Sequence, residues 1–310
     1  MRAEIFSSRT RHRYSICSGG CSRFGNNKTI IGLSKTSFLS YHNLIIEKPL
    51  TSLVRSLQRN STHKQREYMK KPNIIFIMAD DMGYGDVGCY NPSSRIPTPN
   101  MDRLANQGIR FTDAHSPSAV CTPSRYGVLT GRYCWRSRLK QGVLYGYEPP
   151  LIEKDRLTVA GMLQQKGYNT ACIGKWHLGL GYTAKPGKQI DFDAPLPWSD
   201  ATRKEEESID FTRSLFGGPT EFGFDYFFGT SGCSTAQPPY GFIENDRFID
   251  PPDFYREKSL FTARAGMTAP GWDDKEVDPI ICRKAVDYIE RQAKSDKPFF
   301  LYMTPTSPHE

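Results

Sequence analysis

The chain has 310 residues, 38% hydrophobic and 24% charged, a globular balance that excludes collagen-like, coiled-coil and wholly disordered classes. Its formal net charge is +8, but residues 1–67 hold 12 Lys and Arg against 3 Asp and Glu, leaving 29 against 30 in the remainder. The basic excess belongs to this leader, so the rest offers no bulk-charge case for binding nucleic acid.

Residues 1–68 are rich in Ser and Arg, poor in acids, and show no sustained apolar period of 2 or 3.6. No apolar h-region follows a basic start, so no secretory signal is visible and the compartment is left open. A transit peptide, a disordered tail and upstream sequence ahead of a true start at Met69 all fit. The last is favoured, because Met69-Lys-Lys-Pro leads straight into a strand signal. The expected division is a leader over 1–68 and a folded part over 69–310.

The apolar run at 73–79, ending in Asp80-Asp81, predicts a strand buried on both faces. Residues 98–108 predict a helix with an N-terminal cap and a Gly stop, and 109–114 a short strand. Pro123 to Leu129 predicts a helix with Pro near its start. Residues 157–166 predict a helix closed by Gly167, and 168–173 another strand. The stretch 181–275 is loop-rich. Its Trp198, Tyr226, Phe227, Phe228, Tyr240 and Trp272 suit stacking on a sugar or aryl ring, and equally suit anchoring the loops. Ile281, Ala285, Ile289 and Ala293 recur every fourth residue in a helix over 278–294, and 298–303 is a second buried-strand candidate. The alternation argues for an α/β fold with a mostly parallel central sheet flanked by helices. A mean hydropathy of −0.55 and no uninterrupted apolar run of about eighteen residues argue against a membrane span. Eight cysteines are too sparse for a disulfide scaffold, and no CxxC pair or Cys/His spacing suggests zinc.

In such sheets ligands bind at the carboxyl ends of the strands. Four polar clusters fall there: Asp80-Asp81, Cys121-Thr-Pro-Ser-Arg125, Gly174-Lys-Trp-His177 and Pro308-His309. Taken singly, each has an ordinary structural reading as a cap, a core cysteine or a surface residue. Lys175 and His177, at i and i+2, face the same side if the segment stays extended.

Taken together they form a pattern. Residues 121–132, Cys121-Thr-Pro-Ser-Arg-Tyr-Gly-Val-Leu-Thr-Gly-Arg132, match the first sulfatase signature without a departure, and Gly167 to His177 match the second. Residues 72–81 and 222–229 also resemble that family. The chain resembles the formylglycine-dependent sulfatases of the arylsulfatase A type, within the alkaline-phosphatase superfamily, over residues 71–310.

The resemblance implies hydrolysis of aryl or carbohydrate sulfate monoesters. It implies Ca²⁺, or Mg²⁺, held by Asp80, Asp81 and residue 121, and conversion of Cys121 to Cα-formylglycine by a formylglycine-generating enzyme. One hydroxyl of the hydrated aldehyde would attack sulfur, and the second would expel sulfate. Arg125 would steady the hydrate. Lys175 would contact nucleophile and sulfate, His177 would take the proton of the second hydroxyl, and His309 would protonate the leaving oxygen and bind substrate. The family also has an Asp-Asn pair and a further Lys, expected beyond Glu310. The 310-residue chain is therefore expected to be incomplete at its C-terminus and poorly active by itself. A non-catalytic anion-binding or partner-binding protein is one alternative. A phosphate or phosphonate ester hydrolase is another, against which Cys121 counts, since those relatives often carry Ser or Thr.

Overall fold

The computed structural model describes residues 71–190, 206–258 and 264–309; the expected leader and Trp198 lie outside them. Apart from 106–109, the described residues belong to one compact unit made of 71–105 and 110–310. Its centre is a six-stranded sheet in the order β1-β8-β2-β3-β4-β5. The strands are β1 (Ile74–Ile77), β2 (Asn169–Lys175), β3 (Tyr226–Thr230), β4 (Ile243–Glu244), β5 (Arg247–Phe248) and β8 (Phe299–Thr304). The β1/β8, β8/β2 and β2/β3 pairs are parallel, and β3/β4 and β4/β5 are antiparallel. A separate antiparallel pair joins β6 (Phe254–Arg256) to β7 (Gly266–Thr268).

Among the described residues the α-helices are α1 (Pro99–Gln107), α2 (Cys121–Thr130), α3 (Val159–Gln165) and α4 (Val277–Gln292). All four fall where periodicity and stop signals put them. Thr158 caps α3 by accepting from Gly161 N–H, and Gly167 follows it in the left-handed region at φ 83°.

The central strands divide their side chains by period 2 between two apolar layers. Ala171, Ile173, Phe228, Phe299 and Leu301 meet Val277, Ile281, Ala285 and Tyr288 of α4 on one face. Cys172, Phe227, Phe300 and Tyr302 meet Tyr126, Leu129, Ala160 and Trp176 on the other. Burial on both faces is what makes β8 read as a continuous apolar run.

Three expectations need correction. β1 is not buried on both faces: it pairs only with β8, at the sheet edge, and Ile75, Phe76 and Ile77 are 44%, 40% and 57% exposed. Residues 109–114 form no strand, for no neighbour among the described residues offers them a ladder, and Ile109 and Phe111 stand exposed. Within the loop-rich stretch, Tyr226–Thr230 is a central parallel strand, so Phe227 and Phe228 are core residues. Tyr240 is buried and Trp272 packs tilted against Phe242, so these aromatics anchor loops.

Candidate active site

The parallel register brings the carboxyl ends of β1, β8, β2 and β3 together. Asp80 follows β1 and bridges in parallel to Pro308 after β8, with Asp80 N–H donating to Ser307 C=O at 3.1 Å. Asp278, in the first turn of α4, accepts from the N–H groups of Thr306 and Ser307 at 2.7 and 2.8 Å, which fixes the turn carrying His309. Lys175 is the last residue of β2. Trp176 and His177 N–H then donate to Thr230 and Ser231 C=O past the end of β3, which delivers Cys233.

Lys175 and His177 do not lie on one extended segment. Trp176 points away into the core, and His177 has φ 55°, so the chain turns to bring the imidazole back. Asp81 also sits at positive φ, 63°. For a non-glycine residue that conformation costs roughly 1–2 kcal/mol, and such strain gathers at functional sites.

Cys121 is the first residue of α2, whose N-cap Val120 has no side-chain oxygen to offer, so the first-turn N–H groups are left for a ligand. The thiol faces a cleft of about 560 Å³ lined by Asp81, Val120, Tyr145, His177, Cys233 and His309 among others. Lys175 Nζ donates to Asp80 Oδ2 at 2.6 Å, Cys233 Sγ at 2.8 Å and Cys121 Sγ at 3.3 Å. Arg125, fully buried, lies behind this layer. Its Nη1 donates to Lys175 C=O at 2.6 Å and its Nη2 pairs with Asp80 Oδ1 at 3.3 Å. Arg125 therefore sets the positions of Asp80 and the β2 end. His309 Nε2 stands 3.6 Å from Asp81 Oδ2 and 3.7 Å from Cys233 Sγ.

Burial tends to raise the Asp80 carboxyl, but Lys175 and Arg125 overcome it and hold Asp80 below its ordinary value. Burial works against charge on Lys175 too, yet Cys233 and Asp80 keep its ammonium above normal. The Cys121 thiol, hydrogen-bonded to Cys233 and buried, is pushed up, and Cys233, hydrogen-bonded to Cys121 and facing Lys175, falls to about 6. Burial, reinforced by Lys175, drives His177 down to about 4. Its Nε2 lies 2.8 Å from Leu144 C=O, so the proton sits there and Nδ1, which meets no hydrogen-bond geometry among the described residues, keeps its lone pair beside Cys121. A neutral imidazole beside Cys121 can act as a base at neutral pH.

The same shift carries a stability cost in acid. A depressed histidine binds a proton less readily folded than unfolded, so stability is full above about 6.5, the unfolded value, and is lost as pH falls toward 4. Replacing His177 by Gln is expected to reduce the loss of unfolding free energy between pH 7 and pH 5 by about 2 kcal/mol. Urea titrations of both proteins at the two pH values check this; parallel losses would contradict it.

Asp80, Asp81 and Cys121 bring donor atoms within 4.8 Å of one another. Two carboxylates are hard oxygen donors, so the set fits Ca²⁺ or Mg²⁺, although Asp80 also serves Lys175 and Arg125. All of Asp80, Asp81, Cys121, Lys175, His177 and His309 meet here, with Arg125 just behind. The residue that sequence reasoning missed is Cys233, 112 positions beyond Cys121 and marked by no spacing.

A family model described as Sulfatase matches residues 72–310. An N-acetylgalactosamine-6-O-sulfatase of Bacteroides thetaiotaomicron is 33% identical over 270 residues, 76% of this chain and 47% of the relative. Human arylsulfatase A is 50% identical over 113 residues, 36% of this chain and 22% of the relative. A solved structure from work on glycosaminoglycan metabolism by Bacteroides thetaiotaomicron superimposes with a TM-score of 0.62 at 31% identity, over 78% of this chain and 52% of that one. The chain thus spans about half the length of the Bacteroides relative, 47%.

Proposed function

The chain belongs to the sulfatase family, and on that premise we propose that it hydrolyses sulfate monoesters with residue 121, converted to formylglycine, as nucleophile. The observation that carries this reading is the cationic floor of the cleft. Lys175 Nζ lies 3.3 Å from Cys121 Sγ at the N-terminus of α2, with His177 and His309 beside it. A sulfate ester is an anion whose transition state places charge on sulfonyl and leaving oxygens, and fixed positive groups stabilise it there.

The Cys121 sulfur marks where the oxygens of a hydrated aldehyde would stand. Lys175 is anchored by Asp80 and can reach both that position and a bound sulfate. His177, neutral with Nδ1 open, can accept a proton from residue 121. His309, partly exposed at the cleft, suits donation of a proton to the departing alcohol. A divalent cation held by Asp80, Asp81 and residue 121 would supply Lewis-acid polarisation of a sulfate oxygen. Three donors among the described residues make a weak calcium site, so slow turnover is expected.

The Bacteroides relative's name points to 6-O-sulfated N-acetylgalactosamine as the first sugar to test, beside a chromogenic aryl sulfate. Protein co-expressed with a formylglycine-generating enzyme is expected to release sulfate from one of them. Cys121→Ala should reduce that release by about 10³ or more. Equal release by both proteins, or hydrolysis confined to phosphate esters, would overturn the reading.

A further inference from the structure

Cys121, Cys233 and His309 bring two sulfurs and one imidazole nitrogen within 4.8 Å of one another. All three line the same cleft, and they arrive from separate elements: the start of α2, the loop after β3 and the turn after β8. Lys175 Nζ donates to both sulfurs, at 3.3 Å to Cys121 and 2.8 Å to Cys233, and the shorter contact favours thiolate character at Cys233. Asp80 and Asp81 form their own donor set with the same Cys121. Residue 121 therefore belongs both to a hard oxygen set and to a soft sulfur-nitrogen set.

We propose that, while residue 121 is still a cysteine, Cys121, Cys233 and His309 bind a zinc-class ion, which the conversion to formylglycine then excludes. The ligand types select zinc-class metals over calcium and magnesium. Zinc–sulfur bonds of about 2.3 Å and zinc–nitrogen bonds of about 2.0–2.1 Å in a tetrahedron put ligand atoms roughly 3.5–4 Å apart, which a set within 4.8 Å reaches with small side-chain shifts. The cleft opens to solvent past Asp81, so a water can complete the four ligands. The Lys175 ammonium opposes the incoming cation, and the Asp80 carboxylate 2.6 Å from it offsets that charge.

The step is ligand exchange without redox. Two metal–sulfur bonds and one metal–nitrogen bond form, waters leave the ion, and the thiol protons still present pass to solvent. Converting Cys121 removes one sulfur and leaves only Cys233 and His309. The site stands on the thiol form alone, so it does not depend on the hydrolytic reading.

The test uses Cd²⁺ as probe on the full chain, with the thiol at 121 verified by mass. Cys17, Cys21, Cys89 and Cys282 are replaced by Ser so that they do not compete. One Cd²⁺ per chain is expected, with the ultraviolet charge-transfer absorption of two thiolates. Cys121→Ser and Cys233→Ser should each weaken binding by about 100-fold or more and halve that absorption. His309→Ala should weaken binding while the absorption per bound ion keeps its two-thiolate intensity, a readout that loss of fold would not give. Protein already carrying formylglycine at 121 should lose the two-thiolate absorption, whatever ion its carboxylates hold. No uptake by the thiol form, or uptake unchanged in Cys233→Ser, would overturn the proposal.

Discussion

Replacing Lys175 by Met is expected to lower unfolding free energy by about 3–5 kcal/mol and to abolish stabilisation of the protein by inorganic sulfate. The first effect follows from burial: Lys175 has no exposed surface, and Asp80, itself 3% exposed, would keep only the longer contact to Arg125. Breaking a buried pair by removing one partner costs more than the pair is worth, since an uncompensated charge remains. Cys233 would also lose the ammonium that faces it at 2.8 Å. The second effect follows from linkage. A ligand that binds only the folded state raises its stability, and the rise disappears with the site. Thermal melts of both proteins with and without sulfate test the two effects together. An unchanged midpoint, or the same sulfate-induced shift in both proteins, would show that Lys175 neither holds the site nor meets the anion.

Gly174→Ala is expected to cost more than about 4 kcal/mol, in the range reserved for severe steric conflict. Gly174 has φ 126°, and a Cβ there would stand 2.0 Å from the backbone oxygen of Thr304 on β8. That oxygen belongs to the neighbouring strand in register, Gly174 opposite Thr304, so the clash cannot be relieved by a side-chain rotation. On the other flank Gly229 of β3 pairs with Gly174, and its Cβ would meet Gly174 C=O at 1.7 Å. The three strands close to this distance directly beneath Lys175, which is how the ammonium reaches residues from β1, α2 and the β3 loop at once. Gly167→Ala is the comparison: its φ is 83°, but a Cβ there meets nothing within 4 Å, so only the conformational cost of roughly 1 kcal/mol applies. Denaturant unfolding of the two variants should differ by several kcal/mol. Equal losses would mean that backbone closeness at Gly174 is not what fixes the strand ends.

Fold class and most of the site were legible in the sequence because their signals are local. β8 announces itself by an unbroken apolar run, and β2 follows a helix closed by Gly167. Ile281 and Ala285 mark the buried side of α4 by their period, and Cys121 to Arg132 is contiguous. The alternation gives an α/β fold with a mostly parallel sheet; its alkaline-phosphatase-like character is what the sulfatase resemblance implies, and a sulfatase structure superimposes on it. What local patterning does not carry is position within the sheet. The β1 run looks like a central strand, but its place at the edge leaves Ile75 to Ile77 exposed. Residues 109–114 have the composition of a strand and no partner to pair with. Cys233 is invisible for the same reason. Its role comes from the parallel register of β2 and β3, which carries the loop after Thr230 beside Lys175 and Cys121. The turn at His177 also escaped the sequence reading, since a positive φ at a histidine has no compositional signal.

Hydrolysis at this site turns on what residue 121 becomes. Trypsin releases residues 111–125 as one peptide, since no Lys or Arg lies between Arg110 and Arg125. From protein co-expressed with a formylglycine-generating enzyme, mass spectrometry of that peptide should show the CH₂SH of Cys121 replaced by CHO, and the new aldehyde should react with a hydrazide probe. A peptide found only with its thiol intact, alkylated in full and inert to hydrazide, would contradict the assignment of residue 121 as nucleophile.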